Sequence, residues 1–233
     1  MFPIPLKKMK IVLTNDDGID APGIKALGEA ISGEKIWIAP EKEYSQCGHQ
    51  VTTNQGIKVE KRSEIEYAIG GTPADCIRLA VSHLCPDLSW VISGINSGGN
   101  MGVDVYISGT VAAVREAAIQ GIPGIALSQY RKKGKPVNWK TATRWASLVL
   151  NELMKHPPQQ GYFWNVNFPY LEPEDPDPDM VFCKLGTQSL PINYRIEGDY
   201  FHYHGNYSDR LYEVGTDVEV CFRGKIAVSL IKL

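Results

Sequence analysis

Short apolar runs alternate with helix-like stretches over the first 128 residues, and this alternation restricts the fold more than any other feature. Four runs have strand character; they occupy residues 11–13, 35–39, 90–93 and 124–127. Each is nearly continuous in apolar residues, as parallel strands covered on both faces are. The helix-like stretches occupy residues 22–31, 73–84 and 109–120. This order predicts an α/β fold with a doubly wound, mostly parallel sheet.

The sequence after Ser128 has a different character. An amphipathic helix is expected from about residue 140 to 154, and a further strand at 162–168. The apolar side of that helix is predicted to hold Ala142, Trp145, Ala146, Leu148, Val149 and Leu153. Residues 181–233 have an aromatic, β-like pattern broken by Gly, Asn and Asp, which favours hairpins over another α/β unit.

These patterns divide the chain into a core and an arm. The core is expected at residues 1–169, with a final strand returning to it near 215–233, and a β-hairpin arm at 170–214. Because an isolated hairpin is marginal in water, an arm with exposed aromatic side chains is expected to pair with another subunit.

Composition excludes several classes of protein. The chain has 233 residues and a formal net charge of −2, and its Lys and Arg are scattered apart from residues 131–133, so no basic field suits a nucleic acid duplex. We interpret residues 131–133 as a solvated loop. Five cysteines, odd in number and without a C-x-x-C pair, fit a reducing cytoplasm. The first ten residues hold too short an apolar stretch for a signal peptide, and no 18-residue apolar run indicates a membrane span. A cytoplasmic protein is expected.

Two adjacent carboxylates, Asp16 and Asp17, follow the first strand and precede Gly18. Open α/β sheets build their sites at the carboxyl ends of strands. Keeping both acids ionised in one crevice requires a compensating cation, and carboxylate oxygens suit Mg²⁺ or Mn²⁺. The alternative is a helix-capping and turn cluster.

Three further polar segments are expected at the same edge of the sheet. Residues 40–49 offer the Ser45 hydroxyl and a glycine, Gly48, that permits close backbone approach. The glycine-rich segment 93–102 includes Asn96, which can give an oxygen to a metal or its NH₂ to a phosphate. Residues 108–110, Ser-Gly-Thr, begin a helix, where free N–H groups favour phosphate. Each segment could also be an ordinary loop or helix cap, but their convergence favours a site. Neither G-x-G-x-x-G nor G-x-S-x-G is present.

Taken in order, the motifs resemble those of the SurE family of survival-protein nucleotidases. They are Thr14-Asn15-Asp16-Asp17-Gly18-Ile19, Ala39-Pro40 with Ser45 and Gly48-His49, Gly71-Thr72-Pro73-Ala74-Asp75, Ser93-Gly94-Ile95-Asn96 and Ser108-Gly109-Thr110-Val111. The resemblance implies a three-layer, Rossmann-like core and a β-rich carboxyl-terminal arm that forms dimers or tetramers. It also implies a metal-dependent phosphomonoesterase that hydrolyses nucleoside 5′-monophosphates and 3′-monophosphates.

The resemblance also implies a set of site residues. One divalent metal per subunit would be held by Asp16, Asp17, Ser45 and Asn96. The catalytic residues would be Asp16, Asp17 and Asn96. The phosphate pocket would be lined by Gly48, His49, Ser108, Gly109 and Thr110.

Several alternatives stay open at this point. Asp16 could act as nucleophile or general base instead of only binding metal. A base could stack on Tyr44 or on an aromatic residue beyond Tyr194. A glycosyltransferase-like or dinucleotide-using enzyme and a catalytically silent nucleotide sensor are the rival functions.

Overall fold

The computed structural model describes residues 9–45, 47–172 and 174–233. Most of the first ten residues, in which no signal peptide is expected, therefore lie outside the described residues. The strands are β1 (Lys10–Thr14), β2 (Glu34–Pro40), β3 (Val59–Ser63), β4 (Glu66–Ile69), β5 (Trp90–Asn96), β6 (Gly124–Gln129), β7 (Tyr162–Phe168), β8 (Met180–Phe182), β9 (Tyr194–Glu197), β10 (Tyr200–Tyr203) and β11 (Ile226–Lys232). The α-helices are α1 (Pro22–Ala30), α2 (Pro73–Leu79), α3 (Gly109–Ile119), α4 (Trp139–Leu153) and α5 (Asp217–Phe222).

One mixed sheet organises the fold, with strand order β3-β4-β2-β1-β5-β6-β7-β11-β8. The central strands from β4 to β7 pair in parallel, whereas β3 and β11 each run antiparallel to a neighbour. A second, two-stranded antiparallel sheet consists of β9 and β10. The predicted Rossmann-like α/β fold with a carboxyl-terminal hairpin is therefore confirmed. The division into a core and an oligomerisation arm stays a prediction.

Helices cover both faces of the sheet and create two hydrophobic clusters. On one face α1 and α4 contribute Leu27 and Trp145, and on the other α2 and α3 contribute Ile77 and Val111. All four side chains are nearly inaccessible to solvent. This explains why the central strands are apolar on both faces, and it confirms the three-layer arrangement.

Two helix starts follow from local capping. Thr72 caps α2, accepting the amide proton of Asp75 while the Asp75 carboxylate accepts the amide proton of Thr72. Ser108 caps α3 and accepts the amide proton of Val111 at 3.1 Å. The Ser108 cap therefore fixes where α3 begins at the carboxyl-terminal edge of the sheet.

Some predictions were wrong in detail. Leu148 is 58% exposed, because the buried stripe of α4 instead includes Leu150, one helical turn after Ala146. The carboxyl-terminal region is not hairpins alone, since α5 intervenes before β11 joins the main sheet beside β7. Among the described residues, no helix is both long and apolar enough to cross a membrane.

Candidate active site

A cleft of about 920 Å³ opens where several of the parallel strands end. Five of the predicted site residues line it: Asp16, Asp17, Ser45, Asn96 and Ser108. The other four, Gly48, His49, Gly109 and Thr110, are not among the residues that line it. The volume lies within the range of about 300–1,000 Å³ that small-molecule sites occupy.

Asp16 is the more buried of the two predicted acids, with 5% of the residue exposed to solvent. Its Oδ1 accepts a hydrogen bond of 2.5 Å from the Thr110 hydroxyl. Burial raises the pKa of Asp16 to about 6, with a further upward contribution from the charge of Asp17, although the Thr110 hydrogen bond acts in the opposite direction. Burial also raises the pKa of Asp17, whose Oδ2 accepts the amide proton of Ser97 at 3.3 Å. In both carboxyl groups, the effect of burial against the charged form outweighs the hydrogen bonds that favour it.

Glycines allow the acid pair to occupy this place. Gly18 has a φ of +103°, and its carbonyl accepts the side-chain amide of Asn15 at 2.8 Å, which fixes the turn after the acids. A Cβ at Gly109 would lie 2.8 Å from the Cβ of Asp16 and 3.2 Å from the Sγ of Cys47. Gly109 and Thr110 thus act on the position of Asp16, even though neither lines the cleft.

Asn96 and Ser45 supply neutral oxygens near the acids. Asn96 ends β5, and its side-chain nitrogen donates to the Gly98 carbonyl at 2.9 Å, so its side-chain oxygen is the atom available to a cation. The exposed Ser45 hydroxyl donates to Oε1 of Glu43 at 2.6 Å, which leaves its lone pairs available. With the two carboxylates, these groups form an all-oxygen donor set.

The charge of the cleft fits a bound cation. Its lining contains the carboxylates of Asp16, Asp17, Glu43 and Asp104, of which Asp104 is paired with Arg210, and Arg131 is the one cationic side chain among the described residues that line it. An anionic phosphate would be repelled unless a cation neutralised this excess. Among the residues described, no three His, Cys, Asp or Glu side chains cluster as metal ligands, so two carboxylates with neutral oxygens would have to hold the ion. Such a set suits Mg²⁺ or Mn²⁺.

His49 contacts α3 instead of lining the cleft. Its Nε2 lies 2.9 Å from Oε2 of Glu116, and its Nδ1 lies 3.5 Å from Nη1 of Arg115. The hydrogen bond from His49 is the main reason that the pKa of Glu116 is lowered. The neighbouring Gly48 donates its amide proton to the Ile107 carbonyl at 3.1 Å. A role for Gly48 and His49 in the phosphate pocket stays a prediction.

Buried amides anchor the glycine-rich loop that follows β5. The Asn100 amide donates to Oδ1 of Asn167 at 2.7 Å, and the Asn100 carbonyl accepts the side-chain amides of Asn165 at 2.8 Å and Asn167 at 3.0 Å. The Asn100 side chain also donates to the Ser128 hydroxyl at 2.8 Å. The loop is thereby fixed to the ends of β6 and β7.

Residues from the carboxyl-terminal segment hold the same loop, which sequence reasoning missed. Nη1 of Arg210 donates to Oδ2 of Asp104 at 2.7 Å, and the Tyr207 hydroxyl donates to the same oxygen at 2.5 Å. Oδ2 of Asp217 accepts the amide proton of Gly102 at 2.8 Å. These contacts join residues more than 100 positions apart, so no spacing in the sequence indicated them.

Arg131 lies exposed in a loop, as interpreted from the sequence, and its side chain also lines the cleft. Its Nη1 lies 3.4 Å from the Ser97 hydroxyl, and its charge lowers the pKa of Asp17 against the stronger effect of burial. One signal could have found it: Arg131 follows the end of β6 by two residues, at the edge where the site is built.

Comparisons with known proteins identify a family model and relatives that match most of the chain. The family model described as Survival protein SurE matches residues 11–191. A protein of Nostoc sp. (strain PCC 7120), provisionally named a 5′-nucleotidase, is 55% identical over 226 residues, covering 97% of this chain and 100% of the relative. The 5′-nucleotidase SurE of Paramagnetospirillum magneticum is 38% identical over 242 residues, covering 95% of this chain and 88% of the relative.

A solved structure gives the same result for the fold. The crystal structure of the SurE protein from Aquifex aeolicus matches with a TM-score of 0.85 at 27% identity, covering 96% of this chain and 93% of that chain. The agreement of sequence and fold over nearly the whole length shows that the chain belongs to the SurE family.

Proposed function

We propose that this protein is a metal-dependent 5′-nucleotidase, a phosphoric monoester hydrolase that converts nucleoside 5′-monophosphates, and also 3′-monophosphates, to nucleoside and inorganic phosphate. The observation that carries the proposal is the convergence of Asp16, Asp17 and Asn96 with the amino-terminal end of α3 in one cleft. The relatives named as 5′-nucleotidases support the reaction class.

One divalent cation per subunit, Mg²⁺ or Mn²⁺, would be held by the oxygens of Asp16, Asp17, Ser45 and Asn96. When bound, such an ion supplies Lewis-acid chemistry, polarising a phosphoryl oxygen and a water molecule. Asp16 and Asp17 supply the negative charge that holds the ion, and their raised pKa values reflect the cost of burying them without a cation.

The chain's own groups would bind and orient the phosphate. Ser108 lines the cleft at the start of α3, where first-turn N–H groups and the helix dipole favour an anion. The Arg131 guanidinium faces the same cleft and adds a positive charge. Together they stabilise charge on the phosphoryl oxygens while a water molecule displaces the nucleoside in line.

The role of Asp16 beyond metal binding separates two routes. As a nucleophile it would form an acyl phosphate, whereas as a general base it would take a proton from the attacking water. The stereochemical course at phosphorus, followed with a chiral nucleoside phosphorothioate in oxygen-labelled water, separates them. Net retention of configuration supports the nucleophile, because two in-line displacements occur, and net inversion supports the base, because water attacks phosphorus directly.

The hairpin supports a homodimer or homotetramer formed through the carboxyl-terminal arm. Ile196 and Phe201 are a cross-strand pair on one face of β9 and β10, and they are 62% and 64% exposed. Burying such a pair against a second copy would remove apolar surface from water. Sedimentation of the wild type and of Ile196→Ser/Phe201→Ser tests this: an assembly in the wild type that dissociates in the variant is expected, and equal masses contradict it.

We also propose a cytoplasmic location, supported by five cysteines that are all free. No nucleic acid duplex or membrane partner is proposed, because the chain carries a net charge of −2.

The test of the function is phosphate release from 5′- and 3′-nucleoside monophosphates, with and without Mg²⁺ or Mn²⁺. We expect metal-dependent release by the wild type and none by Asp16→Asn, which keeps the shape of the side chain but removes its charge. No release with either metal, combined with tight binding of the nucleotide, would instead support a nucleotide sensor. Phosphate release that a chelator does not affect would refute the proposed metal dependence.

A further inference from the structure

The cleft has two chemically different walls. One wall is polar and contains the acids, Asn96 and Ser108. The other comes from the carboxyl-terminal segment and is mainly apolar and aromatic; it contains Leu190, Pro191, Ile192, Tyr203, Gly205 and Tyr207. A nucleoside monophosphate has the same two-part character, with an anionic phosphate at one end and a flat aromatic base at the other. If the phosphate occupies the polar wall, the apolar wall is left for the base.

The Tyr203 ring is held in place although 54% of the residue is exposed. Its hydroxyl donates to the Pro191 carbonyl at 2.8 Å, and its ring meets the Tyr194 ring edge to face at 5.7 Å between centroids. A Cβ at Gly205 would lie 2.2 Å from the Tyr203 hydroxyl, so only glycine permits this ring position. A ring that is fixed before the ligand arrives loses little conformational entropy on binding.

The other candidate tyrosines are already engaged or lie elsewhere. The Arg210 guanidinium carbon lies 4.9 Å from the centroid of the Tyr207 ring, and the Tyr207 and Tyr130 rings stack with their centroids 6.1 Å apart. The Tyr207 hydroxyl donates to the Asp104 carboxylate. Tyr44, which the sequence left open, is not among the residues that line the cleft. Tyr203 is therefore the aromatic side chain of the described cleft lining that can offer its ring to a ligand.

We propose that Tyr203 is the stacking platform for the nucleobase, an inference that rests on the proposed function. The hydroxyl of Tyr203 is occupied by Pro191, and the side chains of Leu190, Pro191 and Ile192 carry no hydrogen-bonding groups. The side chains of this wall can therefore stack on the face of a base, but they do not hydrogen-bond to the groups at its edge. Since every base has a π-face, the substrate class is purine and pyrimidine nucleoside monophosphates alike.

The experiment compares wild type, Tyr203→Ala, Tyr203→Phe and Tyr200→Ala on the 5′-monophosphates of adenosine, guanosine, cytidine and uridine, with ribose 5-phosphate as a base-free substrate. Tyr200 is the matched control, because it lies on the opposite face of the same strand and is 73% exposed. Stacking of about 1–3 kcal/mol per base corresponds to about 5- to 150-fold. We expect Tyr203→Ala to raise KM for all four nucleotides by a similar factor in that range. Its kcat and its ribose 5-phosphate kinetics should stay within about twofold of wild type. Tyr203→Phe keeps the ring but loses the hydrogen bond to Pro191, so it should raise the nucleotide KM values less than Tyr203→Ala does, whereas Tyr200→Ala should resemble wild type.

Three results would overturn the inference. An equal loss on ribose 5-phosphate would show that Tyr203 only supports the structure, unchanged nucleotide KM values would remove it from the site, and a loss for one base alone would indicate edge recognition. If the wild type hydrolyses none of the five substrates, the proposed function fails by itself. Calorimetry of adenosine monophosphate with wild type and Tyr203→Ala then decides on stacking, since equal affinities would refute it and weaker binding by the variant would support it.

Discussion

The Thr110 hydroxyl donates a 2.5 Å hydrogen bond to Oδ1 of Asp16, joining the first turn of α3 to the end of β1 across 94 residues. This contact ties the group that would hold a cation to the helix end that would receive the phosphate. It also favours the ionised form of Asp16, which burial opposes.

Replacing Thr110 by valine, which has nearly the same shape, should lower activity or metal affinity by about 10- to 100-fold, as loss of a ligand's supporting hydrogen bond does. The pKa of Asp16 should rise further, because a contact that stabilises its charge is gone. The acid limb of the pH profile of Mn²⁺ affinity, measured by calorimetry, should therefore move to higher pH. Thr110→Ser keeps the hydroxyl and should preserve the limb. A limb that does not move in the valine variant contradicts the proposed contact.

Asp16 should make the metal-free protein less stable as the pH rises. Its folded pKa of about 6 lies above the ordinary 3.8, so the folded state binds the proton more tightly than the unfolded state does. The contribution to stability is present below pH 3.8 and is lost as the pH rises through about 6, by about 3 kcal/mol in all at 1.36 kcal/mol per pH unit. The free energy of unfolding of Asp16→Asn relative to wild type, measured with urea, should be higher at pH 8 than at pH 5. Identical pH dependence in the two proteins would count against this burial.

Gly109→Ala should displace Asp16, because the new methyl group would lie 2.8 Å from the Asp16 Cβ and 3.0 Å from its Oδ2. Displacements near 1 Å can cost about 10²-fold in rate, so a loss of about 10- to 100-fold in kcat/KM is expected. Gly56→Ala is the matched control, since nothing lies within 4 Å of its added methyl group. If both alanine variants keep full activity, the close packing of Gly109 on Asp16 has no functional importance.

Arg210→Met should be strongly destabilising. The guanidinium is buried with 1% of its side chain exposed, and its loss leaves the Asp104 carboxylate without its cation in a site that is also buried. Breaking such a pair should lower the free energy of unfolding by about 3–5 kcal/mol, and urea unfolding is the measurement that checks it. Arg195→Met, which breaks an exposed pair with Glu197, should cost no more than about 1 kcal/mol. A cost for Arg210→Met as small as that of Arg195→Met would show that the buried pair adds little.

The sequence predicted the parts of the molecule that local patterns control. The strands β1, β2, β5 and β6 are apolar because helices cover both sides of them, and the acids follow β1 because strand ends are where this fold places polar groups. By contrast, β3 is exposed at every residue and rich in charge, so it has no apolar run to reveal it.

Long-range contacts explain the rest. Arg131 and Tyr203 reach the cleft only because the sheet order and the hairpin bring them there, and neither belongs to a motif of the sequence. Thr110 is predicted to line the phosphate pocket, which stays a prediction, and its hydroxyl contacts Asp16, a partner that no motif of the sequence indicated. A pattern can indicate that a hydroxyl lies at a helix start, but its partner depends on how the strands pack.

The contact between Asp217 and Gly102 has a consequence for how the protein is made. The Gly102 amide receives its carboxylate partner only after 115 further residues have been added to the chain. While the ribosome is still extending the polypeptide, the residues of β1 to β6 are available well before Arg210 and Asp217, and a domain generally folds as a unit. The loop after β5 has no such anchor until the segment containing Arg210 and Asp217 emerges, so the nascent protein acquires its complete cleft late, and a stalled chain would carry the acid pair without it.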